Sequence, residues 1–382
     1  MNAHSSNLRE QRVVNDSGNR AIPLFKVFMS PRDELIPALE SVLYSGQISE
    51  GAAVTQFERS FGDFVGQKNI LSFYSGTAAL HAALVLSGVE PGDEVISTAM
   101  TAEPTNLAIL QAGAKPVWAD VDPYTGNIDP ASVALMTGTR TKAIMAVHYG
   151  GVPVDLTPLR AVARSAGIPV IEDAAHALGA TYEGELIGAH SEYVMYSLQA
   201  IKHMTTVDGG MLVCRNPDDL GRGRRFRWFG MDRTANRTEL DVSEIGWKYH
   251  MNNVNATIGE IQLRHAQAVI SRHIQNGIWF DENLDGISGL QLLRIPERSK
   301  PSYWFYTVLA DRRDDLSRML TSRGIGNSLA HKRNDRHSIF SSASRPLPGL
   351  DYFYSRMLHI PCGWWVSDSD REYIATALKS GW

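Results

Sequence analysis

The chain has 382 residues, 43% of them hydrophobic and 20% charged, with a formal net charge of −4. That is globular composition with enough length for two sizeable cores, which excludes a fibrous or wholly disordered chain. The slight acidity gives no global attraction to nucleic acid or to an anionic membrane, so neither is expected as a partner.

In chain order, residues 1–20 are polar and lack the apolar core of a signal peptide, so they are expected to be a flexible tail. "SPRDELIPALESVLYSG" (30–46) predicts a helix with Ser30 as N-cap, Pro31 in the first turn and Gly46 at its end. From Ile70 onward short apolar strands alternate with helical stretches: "ILSFY" then "TAALHAALVLSG", "EVIST" then "PTNLAILQAG", "KPVWAD", "KAIMAVH" then "LTPLRAVARSAG", and "IPVIED". Such alternation predicts an α/β fold of right-handed crossovers, with a mostly parallel sheet covered on both faces. "YVMYSLQAIKHMTTVDGGMLVC" (193–214) reads as a strand, a polar segment and a second strand after a Gly-Gly pair. After about residue 250 comes a long helical pattern, "NNVNATIGEIQLRHAQAVISRHIQNGIWFDENL", then "SYWFYTVLA", a helix around "DDLSRMLTSRG", and an end that reads as loop-rich. The expected division is a large domain over 21–255, its N-terminal helix packing toward a smaller one, and an interdomain helix with a small C-terminal α+β domain over 256–382. Cys214 and Cys362 show neither metal spacing nor a disulfide framework, and the twelve histidines show no metal spacing either. A cytoplasmic protein without a metal is expected.

Ligands of open parallel sheets gather beyond the carboxyl ends of the strands. Ser75-Gly76-Thr77 lies at one such end and opens a helix, whose free N–H groups and positive dipole end suit a phosphate; a plain N-cap is the alternative. Asp173 ends "IPVIED", as a possible turn cap or as a functional carboxylate. Lys202 follows the strand that ends at Ser197, where an exposed charge is the ordinary reading. Together, a phosphate cradle, a carboxylate and a lysine are the parts that hold pyridoxal 5'-phosphate. The lysine forms a Schiff base once its pKa is lowered, the acid keeps the pyridine nitrogen protonated, and the Ser197 hydroxyl lies on the same hairpin as the amine.

The chain resembles the DegT/DnrJ/EryC1/StrS aminotransferases in "GQISEGAAVTQFERSFGDFVG", "SGTAAL", "AGAKPVWADVDPYTGNID", "AVHYGG", "IEDAAHALGA", "YSLQAIKHMTTVDGG" and "GWKYHMNNVNATIGEIQL". The resemblance implies fold-type I architecture, a homodimer with active sites at the subunit interface, and transfer of an amino group from an amino acid, L-glutamate, to a nucleotide-linked keto-sugar. A 4-keto-6-deoxy sugar is expected, with amination at C3 as the rival. It also implies that Lys202 is the Schiff-base lysine, Asp173 the partner of the pyridine nitrogen, His176 a neighbour of the ring, and Gly76, Thr77 and Ser197 the phosphate ligands. Two departures stand out. Lys248, in "GWKYH", occupies the place of an asparagine that reaches the neighbouring subunit's phosphate, and Ala102 stands where many members carry an aromatic ring. Members with histidine at the lysine position act as dehydratases, so Lys202 argues for transamination.

The basic runs "GRGRRFRWFG" and "HKRNDRH" offer Arg227, Lys332 and Arg333 as candidates for a substrate diphosphate, against the reading that both are solvated faces. A non-catalytic sensor on the same fold lacks an obvious DNA-binding module, and a nicotinamide-dependent oxidoreductase lacks its glycine fingerprint, since "SGTAAL" is not G-x-G-x-x-G.

Overall fold

The apolar segments between Ile70 and Cys214 assemble into one seven-stranded sheet. The computed structural model describes residues 21–382, so the tail expected over 1–20 lies outside the described residues. In chain order the strands are β1 (Ile70–Phe73), β2 (Glu94–Thr98), β3 (Lys115–Ala119), β4 (Thr141–Val147), β5 (Val170–Asp173), the short β6 (Thr181–Tyr182) and β7 (Glu185–Leu186), β8 (Tyr193–Ser197) and β9 (Gly210–Cys214). The large sheet has the order β1-β9-β8-β5-β4-β2-β3. Its pairs are parallel except where β9 runs antiparallel to β1 and β8. The alternating pattern therefore gives the mostly parallel sheet expected of it, with one hairpin, β8–β9, inserted.

Side chains alternate across a strand, and here neighbouring residues feed two separate cores. Ile70, Ile96, Ile144, Val170 and Val194 face one cluster, which also takes Phe57, Phe61, Val133, Leu156 and Leu159. Leu71, Val95, Met145, Ile171 and Met195 face the other, with Leu80, Leu84, Ile109 and Phe226. The first face is covered by α2 (Ala52–Val65), α5 (Pro130–Met136) and α6 (Leu156–Ala166), and the second by α3 (Gly76–Leu86), α4 (Glu103–Gln111) and α7 (Asp219–Phe226). Burial on both faces explains why the strands read as nearly continuous apolar runs.

The N-terminal helix α1 (Arg32–Tyr44) starts later than expected, with Pro31 at the N-cap. Ser30 is drawn elsewhere: its backbone N–H and its hydroxyl both donate to Gln262 Oε1. Gln262 belongs to α8 (Asn253–Leu284), a 32-residue helix that touches three clusters in turn. Ile258 and Ile261 pack with Leu35 of α1, Ala266 and Ile270 join the first sheet core, and Phe280 and Leu284 enter a C-terminal core.

Beyond α8 lie β10 (Leu290–Leu292), β11 (Ser299–Lys300), β12 (Tyr306–Ala310), α9 (Arg313–Ser322), α10 (Pro348–Arg356), β13 (Met357–Ile360) and α11 (Asp368–Lys379). β10-β12-β13 form an antiparallel sheet, and β11 extends the β6–β7 hairpin. The end of the chain is thus not loop-rich. α11 opens with a capping box between Ser367 and Asp370, a start signal that the sequence carries. Among the described residues no helix is long and apolar enough to cross a membrane.

The large sheet depends on what α2 buries, so Phe57→Ala is expected to lower stability by about 3–5 kcal/mol. Leu135→Ala, at a side chain 80% exposed, should stay within about 0.5 kcal/mol of wild type. Urea denaturation followed by circular dichroism checks both.

Candidate active site

The first part of the site forms where α3 meets the β8–β9 hairpin. Ser75 caps α3 by accepting a hydrogen bond from the backbone N–H of Ala78 at 3.1 Å. The N–H groups of Gly76 and Thr77, at the first helical positions, have no intrahelical acceptors. The hairpin passes so close that a side chain on Gly210 would collide with the backbone at the start of α3, and one on Gly76 would press on Met195 and Ser197. A Cβ on Gly76 would lie 3.3 Å from Ser197 Cβ and 3.4 Å from its Oγ, and one on Gly210 would lie 2.7 Å from the Gly76 nitrogen. The helix N-terminus and the Ser197 hydroxyl therefore share one small-residue cradle, with the donor set and dipole that suit a phosphate.

Asp173 stands at the carboxyl end of β5, almost fully buried. Its Oδ2 accepts from the Thr105 hydroxyl at 2.8 Å and its Oδ1 from the Ala175 N–H at 3.0 Å. Thr105 also contacts the Thr101 hydroxyl at 2.9 Å. Since Thr105 gives its proton to the acid, Thr101 must be the donor to Thr105. Burial raises the Asp173 pKa, while Thr105, Ala175, Lys202 and His148 act the other way. A carboxylate held by two donors and set near a lysine suits a protonated ring nitrogen.

Lys202 follows β8 in the segment between Leu198 and Gly209, which closes through Leu198 N–H to Gly209 O at 2.9 Å and Thr206 N–H to Leu198 O at 3.0 Å. Its amine lies 3.8 Å from the centre of the Trp304 ring. Burial pushes the amine down to about 7, with Asp173 pulling it back up. A large share of Lys202 is then neutral near neutral pH, as a nucleophilic amine must be.

His176 lies beside the lysine, but it is packed rather than open. Its ring stacks on Trp304 at 3.9 Å and 17°, and runs parallel to His331 at 5.7 Å and 2°. The Gly150 N–H donates to His176 Nδ1 at 3.3 Å, so the ring proton sits on Nε2. Burial holds the ring well below its usual pKa, with Lys202 and neighbouring histidines adding to the effect. His331 is likewise kept down to about 4, chiefly by burial, and its Nε2 is buried without a partner. His148 belongs to the core: it accepts from the Val154 N–H and donates Nε2–H to Glu172 at 2.8 Å.

The basic candidates separate. Arg227 is only 3% exposed, and pairs with Glu50 and Glu58 at 2.6 Å each while donating to Ser72 O. It is a structural ion pair, which corrects its reading as a substrate ligand. Arg333 is also corrected: it is buried and paired with Asp335 and Asp351. Lys332 is exposed on the same segment. Lys248 is exposed too, beside a bridge to Trp228 and next to the exposed Trp247.

Three residues that the sequence reading passed over help build the site. Thr105 aligns Asp173, Trp304 covers Lys202, and Asn334 pins the "HKRNDRH" segment beside α4. Asn334 accepts from Asn106 Nδ2 at 2.8 Å and donates to Thr101 O at 2.9 Å. Thr105 was the most accessible of them, as a hydroxyl in the first turn of a helix after a strand end. The partners of Trp304 and Asn334 lie far away in sequence and give no local signal.

The sequence model of the DegT/DnrJ/EryC1/StrS aminotransferase family matches residues 30–379. Among solved structures, the sugar aminotransferase CalS13 from Micromonospora echinospora is 38% identical with a TM-score of 0.91, covering 94% of this chain and 100% of that one. AtS13 from Actinomadura melliaura is also 38% identical, with a TM-score of 0.92 and coverage of 96% and 100%. The aminotransferase TlmJ from Streptoalloteichus hindustanus is 31% identical, with a TM-score of 0.87 and coverage of 94% and 98%.

Removing one partner from a buried ion pair leaves its acids uncompensated. Arg227→Ala should therefore cost about 3–5 kcal/mol, and Arg227→Met less, because it restores apolar volume. Urea midpoints of the two variants compared with wild type check the order.

Proposed function

The chain belongs to the DegT/DnrJ/EryC1/StrS aminotransferase family of pyridoxal-phosphate-dependent sugar enzymes, and from that premise we propose that it moves the amino group of L-glutamate to a nucleotide-linked keto-sugar. The acceptor in this reading is a 4-keto-6-deoxy sugar, and the product is an amino-sugar for polysaccharide or natural-product glycosylation. The observation that carries the proposal is the Lys202 amine, held near neutrality by burial and opposed by the buried Asp173.

When bound, pyridoxal phosphate supplies an electrophilic carbon for the amino group and an electron-accepting ring. Gly76, Thr77 and Ser197 would hold its phosphate, Asp173 its ring nitrogen and Lys202 its aldehyde carbon, with His176 alongside. Asp173 keeps its charge facing one direction because Thr105 and Ala175 occupy one side of each oxygen. Lys202 Nζ, freed as a neutral amine when the donor displaces it, would take the proton that leaves the donor's α-carbon and deliver it to the carbon that carried the aldehyde, and would run the same transfer in reverse for the sugar. Because one amine does both, no separate base is needed. The Trp304 ring, backed by its stack on His176, would keep water from that nitrogen.

The exposed Lys332, on a segment tied down by Asn334, is the remaining candidate for the substrate diphosphate. In a homodimer Lys248 would serve the neighbouring subunit's phosphate as a point charge. Exposure of Lys248 beside the apolar Val242, Ile245 and Trp247 supports an interface there. Cytoplasmic residence is part of the same proposal.

Incubation with 15N-labelled L-glutamate and a panel of keto-sugar nucleotides, followed by mass spectrometry and NMR, should place the label on the sugar carbon that carried the ketone. Lys202→Ala should lose at least about 1,000-fold in rate. Transfer of nitrogen to none of the sugars by cofactor-saturated protein, or unchanged turnover in that variant, overturns the reading.

The lysine also sets a pH dependence. Its neutral fraction grows as pH rises through about 7, so the rate of cofactor capture by cofactor-stripped protein should climb about fivefold from pH 6 to 7 and level off above 8. Stopped-flow absorbance measures it.

A further inference from the structure

Trp304 reaches Lys202 from far along the chain and touches it at two points. Its ring centre lies 3.8 Å from the amine, and its Nε1–H donates to the carbonyl of Ile201, the residue before the lysine, at 2.9 Å. We propose that Trp304 is the positioning residue of Lys202: its indole walls the amine off from water, and its N–H anchors the loop that carries it. The proposal deepens the aminotransferase reading and rests on it only for the use to which the amine is put.

The indole is itself held on all sides. It is 2% exposed, stacked by His176 at 3.9 Å and by Phe25 at 4.8 Å. Its backbone is clamped to the turn after β4, with Trp304 N–H to Gly150 O and Ser302 N–H to Gly151 O, both at 3.0 Å. That clamp needs a bare backbone. Gly151 has φ +91, and a Cβ there would lie 2.8 Å from the Tyr303 nitrogen and 2.8 Å from His176 O. The "AVHYGG" motif thus receives the 302–305 segment and presents its indole to the lysine.

Two effects of the ring oppose each other. Excluding water disfavours the ammonium form, whereas the electron-rich face favours it. Asp173 also favours the charged form, while His176, His203 and His331, the other titratable groups acting on Lys202, are kept neutral by burial. Burial is the largest cause acting on the amine and outweighs Asp173, and the indole is the ring that lies against the amine.

The test measures the amine directly, in full-length protein stripped of cofactor. Trace labelling with acetic anhydride across a pH series, quantified at the Lys202 peptide by mass spectrometry, gives the titration midpoint. W304A should raise it by at least about one pH unit, which leaves roughly fivefold less neutral amine at pH 7, and W304F should keep it within about 0.3. W304F, which has the face but no N–H, should show at least about tenfold faster amide hydrogen exchange in residues 198–209. W304L covers the case in which W304A does not fold, and should move the midpoint in the same direction. Thermal melts confirm that each variant is folded. A midpoint unmoved in folded W304A or W304L, or exchange unchanged in W304F, overturns the proposal and leaves Trp304 as core packing. Because labelling needs neither cofactor nor substrate, its outcome is independent of whether nitrogen reaches a sugar.

Discussion

The structure turns on keeping a lysine amine close to neutral while a carboxylate waits beside it. Burial of Lys202 removes the water that would stabilise an ammonium, and Asp173 supplies a field that partly restores it. Were either influence much stronger, the amine would be permanently charged or too weak a base to move a proton near neutral pH. The fold serves that balance. β5 ends in the acid, β8 runs beside it and leads into the lysine loop, and β9 turns back antiparallel so that the same hairpin packs Ser197 against the start of α3.

Behind the acid runs a line of polar groups that the apolar sheet must accommodate. Thr101 donates to Thr105 and Thr105 to Asp173. Asn106, one residue along α4, accepts from Ser97 and donates to Thr98 O and Asn334. Each group of this line finds a partner, which offsets the cost of burying it. The orientation of the acid is thereby linked to a segment of the C-terminal third of the chain.

Much of this was legible in the sequence because it is local. Alternation of strand and helix, the small residues at 75–77 and the acid ending "IPVIED" each announce themselves within a few positions, and their elements stand close to the expected bounds. The departures share a different origin. Arg227 looked like a solvent-facing charge within a basic run, but it meets Glu50 and Glu58 from a distant part of the chain. Ser30 looked like a cap until Gln262, on α8, claimed its hydroxyl. A run of like charges or a lone hydroxyl has no local mark of such partners. The late elements α10 and β13 were obscured because a short helix beginning "PG" and a four-residue strand offer little periodicity, whereas the capping box of α11 was present to be read.

The clamp between Trp304 and the Gly150–Gly151 turn bears on how the enzyme is made. The lysine leaves the ribosome well before the indole that shelters it, and before Asn334, which braces α4. Until residue 304 is made and packed, the Lys202 amine lacks its indole wall. The sheltered site is complete only where the last third of the polypeptide packs against the first two.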